Sequence, residues 1–237
     1  MTLAPGLLLL LWGLPAFASP FSFGRAELDA ALADRKLQLR IKAELDDLPA
    51  DSFKIEATRI RGGDARGLMY GLLEAAEQIR TTGKLKPLTY APSMAVRSAR
   101  MIATQAALQR SPDYWETLFQ QLARSRFNRF YLSFEQPPDS STVAAISRAA
   151  ADYAIDFILV MSEVEYDNLK TLLSACPAIR GVEVNAPSEA ARQATSEAGR
   201  LVTLEVRANS TRELELTPDY DKTAVLTWGR RMYGESK

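Results

Sequence analysis

Arg61-Gly62-Gly63-Asp64-Ala65-Arg66-Gly67-Leu68-Met69-Tyr70-Gly71-Leu72-Leu73-Glu74-Ala75-Ala76-Glu77-Gln78-Ile79-Arg80 joins a glycine turn to an amphipathic helix. Gly62 and Gly63 permit a sharp turn with positive φ, and Asp64 can accept a hydrogen bond as the cap of the following helix. Leu68, Leu72, Ala75, Ala76 and Ile79 recur at helical spacing and form one apolar stripe. The residues read as strand, turn and packed helix. The glycines serve backbone geometry in this reading, and no phosphate loop is present, because no Gly-Lys-Ser/Thr ending follows and no Gly-x-Gly-x-x-Gly opens a helix.

The wording of this run resembles the small α/β domain that precedes the barrel in family 20 β-N-acetylhexosaminidases and family 67 α-glucuronidases. The resemblance extends upstream through Phe53-Lys54-Ile55-Glu56 and downstream through Arg97 to Met101, then through Tyr114-Trp115-Glu116-Thr117-Leu118-Phe119 and Arg124-Ser125-Arg126-Phe127-Asn128-Arg129, covering residues 28 to 230. It implies an α/β chain with a small α/β domain followed by an incomplete (β/α) barrel of about six parallel strands. It also implies an oligosaccharide or polysaccharide substrate and no cofactor.

Composition narrows the chemistry. Lys plus Arg equal Asp plus Glu at 29 each, which excludes the basic excess that nucleic-acid binding draws on. Arg124, Arg126 and Arg129 read as a solvated helix end. No histidine occurs and there is one cysteine, so histidine triads, an intrachain disulfide and most zinc chemistry are excluded, and no metal site is expected. Cys176 reads as buried filler. Acid and base work falls to carboxylates, tyrosine or lysine, as in glycosidases.

Residues 1–18 read as a secretory signal, with Leu7 to Leu11 apolar and Ala16-Phe17-Ala18 small enough for cleavage before Ser19. Pro5 and Pro15 interrupt a run already shorter than the roughly 20 residues that span a bilayer, so a stable membrane span is not expected. A periplasmic or extracellular location follows from this reading.

Residues 25–85 read as the small domain: a helix near 26–33, strands near 37–43, 53–57 and 59–61, and the helix of 64–80. Residues 86–96, with Pro87 and Pro92, read as a linker. From residue 97 to 237 strands and helices alternate, as in a parallel sheet. The expected strands are 99–103, 130–134, 157–161, 181–184, 201–207 and 224–228, with helices near 112–125, 141–153, 164–175 and 188–198 and a weak piece at 211–216. A complete eight-stranded barrel usually needs about 250 residues. The reading is therefore a truncated barrel: a fragment, a reduced barrel, or a domain completed by a partner chain or oligomer.

Functional groups of parallel α/β folds gather at the carboxyl edge of the strands. That edge nominates Glu135, Glu163, Glu183, Asn185, Glu189, Glu205, Arg207 and Trp228. Glu183 and Glu189 are the candidate catalytic carboxylates, and Glu135, Asn185, Arg207 and Trp228 the candidate substrate contacts. Alternation along Gly181-Val182-Glu183-Val184-Asn185 puts Glu183 and Asn185 on one face, toward a barrel interior. A structural ion pair of Glu183 with Arg207 or Arg180 is the competing reading.

The hexosaminidase resemblance implies an adjacent Asp-Glu pair after the fourth strand. This chain has Asn185-Ala186-Pro187-Ser188-Glu189 there, which departs from that pattern, while Glu189 stands near the carboxylate acid of the glucuronidase type. The resemblance thus implies an exported glycoside hydrolase-like protein acting on hexosaminide- or glucuronoside-containing glycans. A non-catalytic carbohydrate-binding or accessory protein on the same scaffold is the alternative. A nucleotide binder lacks its glycine-rich loop.

Overall fold

A computed structural model describes residues 19–134, 139–162, 164–207 and 213–233. The expected signal segment, Glu135 and Glu163 lie outside the described residues. The first unit runs α1 (Pro20–Asp34), β1 (Lys42–Leu45), β2 (Phe53–Ile55), β3 (Arg59–Gly62), α2 (Ala65–Thr82) and β4 (Leu88–Tyr90). Its four strands form a sheet in the order β1-β3-β2-β4, with β1 parallel to β3 and β2 antiparallel to both β3 and β4. Part of the stretch expected to be a linker is therefore an edge strand.

Asp64 caps α2 by accepting from the Gly67 amide at 2.6 Å, and Gly83 ends the helix in a left-handed conformation at φ 69°. The turn glycines act differently from the expectation, since neither Gly62 nor Gly63 has positive φ. They answer close approach: a Cβ on Gly62 would meet the Leu68 amide nitrogen at 2.2 Å, and one on Gly63 the Pro49 carbonyl oxygen at 2.1 Å. Leu68, Leu72, Ala75, Ala76 and Ile79 are all buried, as the stripe requires. Met69, Tyr70 and Leu73 are buried too, because α2 packs against α1 and its sheet on one side and approaches the second unit on the other.

The second unit runs β5 (Ser98–Ala103), α3 (Gln105–Leu108), α4 (Pro112–Arg124), β6 (Arg129–Phe134), α5 (Ser140–Asp152), β7 (Asp156–Met161), α6 (Tyr166–Ala175), β8 (Ile179–Val184), α7 (Glu189–Ser196), β9 (Thr203–Val206), β10 (Glu213–Leu216) and α8 (Lys222–Tyr233). The strands make one six-stranded parallel sheet in the order β10-β5-β6-β7-β8-β9. This is the expected incomplete (β/α) barrel. Its sixth strand is not the expected one: residues 224–228 lie in α8, and the weak piece near 211–216 is β10. Nor does β10 extend the sheet beyond β9. It pairs with β5 at the opposite edge, the place a last barrel strand takes beside the first.

That placement forces curvature. Six residues, 207–212, separate β9 from β10 and reach at most about 25 Å. In a flat sheet five strand spacings and one strand length would demand roughly 27 Å. The sheet therefore curls, with its two edges drawn toward each other.

The two units are joined by a buried polar seam. Arg97, with no exposed surface, donates to the Asp51 carboxylate at 2.6 Å and to the Arg126 carbonyl at 2.6 Å. Asn128 donates to the same Asp51 oxygen, and Arg66 bridges Asp51 and Asp156. Tyr70 and Tyr233 donate to the carbonyls of Phe127 and Asp51. Burial pushes the Asp51 carboxyl up, but the guanidinium groups of Arg66 and Arg97 and the Asn128 amide outweigh it and hold it below its ordinary value. The arginines read as a solvated helix end belong here and to the sheet interior: Arg126 is buried beside Glu74, Arg124 pairs with Glu27, and Arg129 pairs with Glu205.

Candidate functional site

Register alone sorts the barrel sheet into two faces. Ala99, Met101, Phe130, Leu132, Phe157, Leu159 and Val182 alternate onto the outer face, where Phe119 of α4 meets Phe130 edge-on at 5.3 Å. The inner, concave face carries the other set in rows. Ile102, Ser133, Val160, Glu183 and Glu205 form the row nearest the carboxyl edge; Arg100, Tyr131, Ile158, Gly181 and Thr203 form the next; Ser98, Arg129 and Asp156 lie below, with Glu213 beside Ser98.

The inner face is an ion-pair network. Arg100 donates to Glu183 at 2.7 Å and to Glu213 at 2.8 Å, so two carboxylates flank one guanidinium. Arg129 donates to Glu205 at 2.8 Å, and the Tyr131 hydroxyl donates to the other oxygen of Glu205 at 2.8 Å. Arg100 also lies over the Tyr131 ring, 4.5 Å from its centroid. Both Arg100–Glu183 and Tyr131–Glu205 cross three strand spacings, which only a tightly curled sheet allows. Burial alone would lower Arg100, but Glu183 and Glu213 outweigh it and hold the guanidinium above its ordinary value. Burial pushes the Tyr131 phenol up to about 12, with Arg129 opposing and Glu205 adding to the rise.

Glu183 is 5 % exposed, and its Oε1 is buried with no hydrogen-bond partner. A buried carboxylate oxygen without a donor is costly, of order 1–3 kcal/mol or more. It is an acceptor in need of a donor, in the same inner-face row as Ile102, which is 62 % exposed at the open edge.

The other candidates divide by position. Asn185 and Arg207 are exposed just past β8 and β9, and the Arg207 amide donates to the Val184 carbonyl, so both stand at the same edge as Glu183. Glu205 joins them on the inner face. Glu189 opens α7 with its side chain 84 % exposed and paired to Arg192 at 3.2 Å, away from that face. Trp228 does not stand at a strand end: it lies on α8, beside a groove of about 740 Å³ shared with Met94, Asp221, Thr227 and Arg231. The competing ion-pair reading of Glu183 has the right role and the wrong partner: Glu183 pairs with Arg100 and not with Arg207 or Arg180. Arg100, Tyr131 and Glu213 were missed by the sequence reading. Alternation in Ser98-Ala99-Arg100-Met101 signals Arg100, a charge facing away from apolar neighbours in a buried strand.

No metal-binding group of His, Cys, Asp and Glu forms among the described residues. No helix among them is long and apolar enough to cross a membrane.

No protein-family model matches the chain, and no curated protein matches it either. Solved structures do. A GH138 enzyme described as targeting pectin rhamnogalacturonan II superposes with a TM-score of 0.60 at 16% identity, covering 90% of this chain and 35% of that one. A glycoside hydrolase family 20 β-N-acetylglucosaminidase gives 0.54 at 11% identity, covering 76% and 59%. The Streptomyces plicatus β-hexosaminidase gives 0.50 at 11% identity, covering 77% and 58%. The fold is that of a family 20-like glycoside hydrolase. The chain spans between about a third and three fifths of the length of these structures. At such identities the glycoside hydrolase-like likeness concerns the fold, and the inner face has to be judged on its own groups.

Proposed function

We propose that this chain is an exported carbohydrate-active protein that holds a hexosaminide- or glucuronoside-containing oligosaccharide at the carboxyl edge of the concave face. The observation that carries the reading is the orphan Oε1 of Glu183, a buried acceptor in the inner-face row nearest that edge in a glycoside hydrolase-like fold. A sugar hydroxyl is the donor it lacks. Asn185 and Arg207 stand at the rim where further hydroxyl or carboxylate groups of the glycan would lie.

Binding is favoured over hydrolysis because the inner carboxylates are already engaged. Glu183 and Glu213 share Arg100, Glu205 is held by Arg129 and Tyr131, and Asp156 is held by Arg66. Hydrolysis is the second reading, favoured by the closeness of Glu183 and Glu213 around one guanidinium, since glycosidases work with two nearby carboxyl groups.

Isothermal titration with chito-oligosaccharides and with glucuronoxylan oligosaccharides tests the proposal. The parent chain binds one of these series, and Glu183→Gln weakens binding roughly tenfold or more, the scale of a hydrogen bond to a charged group. No binding by the parent to either series sinks it. Release of product from aryl glycosides by the parent, reduced about 10²- to 10⁴-fold in Glu183→Gln, selects hydrolysis instead.

A further inference from the structure

A second cavity lies on the other side of the sheet, far from the Arg100 network. It is a groove of about 430 Å³ between α4 and α5, within the usual size of small-molecule sites. Its floor is apolar, with Ile146 buried, and Trp115 lines it. Trp115 is 3 % exposed, and its indole Nε1 is buried with no acceptor, although buried indole N–H groups usually find one. Helical packing explains why the ring is inside, since Trp115 stacks near Phe119 at 6.3 Å on the buried stripe of α4. It does not explain an N–H left without a partner.

The rim supplies both kinds of polar group. Glu116 and Arg148 are exposed and Asp152 is half-buried, and no hydrogen bond or ion pair engages these three side chains among the described residues. Arg110, the fourth charged group of the groove, is taken up by Asp219 and by the face of Tyr114. Burial pushes the Asp152 carboxyl up, with Arg148 opposing and Glu116 adding. The groove thus presents two cations and two carboxylates, with no net charge to select an ion.

We propose that the α4–α5 groove is a second carbohydrate subsite that takes an uncharged, hydroxyl-rich sugar unit. A hydroxyl both donates and accepts, so one sugar ring can accept from Trp115 Nε1–H and Arg148 while donating to Glu116 and Asp152. Its apolar ring face would lie on the Ile146 side of the floor. The subsite is independent of the concave face and stands whether or not Glu183 binds glycan.

Of the three tryptophans Trp12 lies in the expected signal segment, so Trp115 and Trp228 give two indole N–H resonances in a ¹⁵N-labelled sample of the exported protein, and Trp115→Phe assigns the one of interest. Titration uses three uncharged probes, chitotetraose, cellotetraose and xylotetraose, and one charged probe, tetragalacturonate. A saturable shift of the Trp115 resonance with an uncharged probe is expected, unchanged in Glu183→Gln and weakened at least about tenfold in Arg148→Ala or Asp152→Asn. Both of those side chains are at the rim, so melting temperatures should match the parent. The proposal is overturned by a Trp115 resonance that no uncharged probe moves, by one that only tetragalacturonate moves, or by a shift that disappears in Glu183→Gln.

Discussion

The two faces of the barrel sheet are made of the same strands and obey opposite rules. Outside, Phe130, Leu132, Phe157 and Leu159 are fully buried under helices and need no partner beyond close contact. Inside, Arg100, Tyr131 and Glu183 are nearly as buried, yet each polar group is tied to another across several strands. The outer face gains from any well-packed apolar neighbour, so it tolerates volume-conserving change. The inner face depends on pairing, and one missing member leaves a charge without its counterpart. The outer face therefore holds the fold together, while the inner face holds a network in which an unpaired acceptor is poised near the open edge.

The contrast breaks most visibly at Leu132. Leu132→Asp puts an unpaired carboxylate at a fully buried position of the outer face, and should cost more than about 4 kcal/mol, enough to abolish cooperative unfolding in urea. A variant that melts like the parent would mean the outer face is not the core.

Arg100→Met keeps the apolar stem and deletes the guanidinium, leaving Glu183 and Glu213 facing each other. The expected loss is about 3–5 kcal/mol by urea denaturation, and adding Glu183→Gln should recover part of it by removing one of the two facing charges. Equal stability of Arg100→Met and the parent would show that the network is ornamental to folding.

Tyr131 tests the same face by pH. Its folded phenol is pushed up to about 12 against an ordinary value near 10, so the neutral form is favoured in the folded state. The stability this contributes is complete below about pH 10 and is lost as pH rises through about 12. Tyr131→Phe removes that dependence, along with the hydrogen bond to Glu205, for a loss of about 1–3 kcal/mol at neutral pH. Denaturation midpoints at pH 9 and pH 11 check both: the parent should fall more steeply than the variant.

Much of this was legible in the sequence. The alternation of strands and helices located β5 to β8 within two residues, and the apolar stripe behind the Asp64 cap located α2. Alternation alone put Glu183 on the inner face. The last strand was not legible, because Glu213-Leu214-Glu215-Leu216 is too short to separate from a helical turn by pattern, while 224–228 reads apolar in either period. Partners were illegible for a different reason. Arg100 meets Glu183 across 83 residues through sheet curvature, which no local spacing encodes. The glycine run shows the same gap: its composition was visible, but the demand for close backbone approach at Gly62 and Gly63 depends on where Leu68 and Pro49 fold.

The smallest expected effect separates the two candidate carboxylates of the sequence. Glu183 sits inside the network, whereas Glu189 is exposed on α7 and pairs only with Arg192 three residues on. An exposed helical pair of this kind is worth roughly 0–0.5 kcal/mol. Glu189→Gln should therefore leave the melting temperature within about 1–2 °C of the parent. It should leave oligosaccharide affinity unchanged as well, because no element brings Glu189 to the concave face. Glu183→Gln, by contrast, alters the acceptor that the proposed glycan would reach. A reversal, with Glu189→Gln abolishing binding and Glu183→Gln silent, would move the functional surface off the sheet interior and onto the rim at α7, and the division between an apolar structural face and a polar functional one would fall with it.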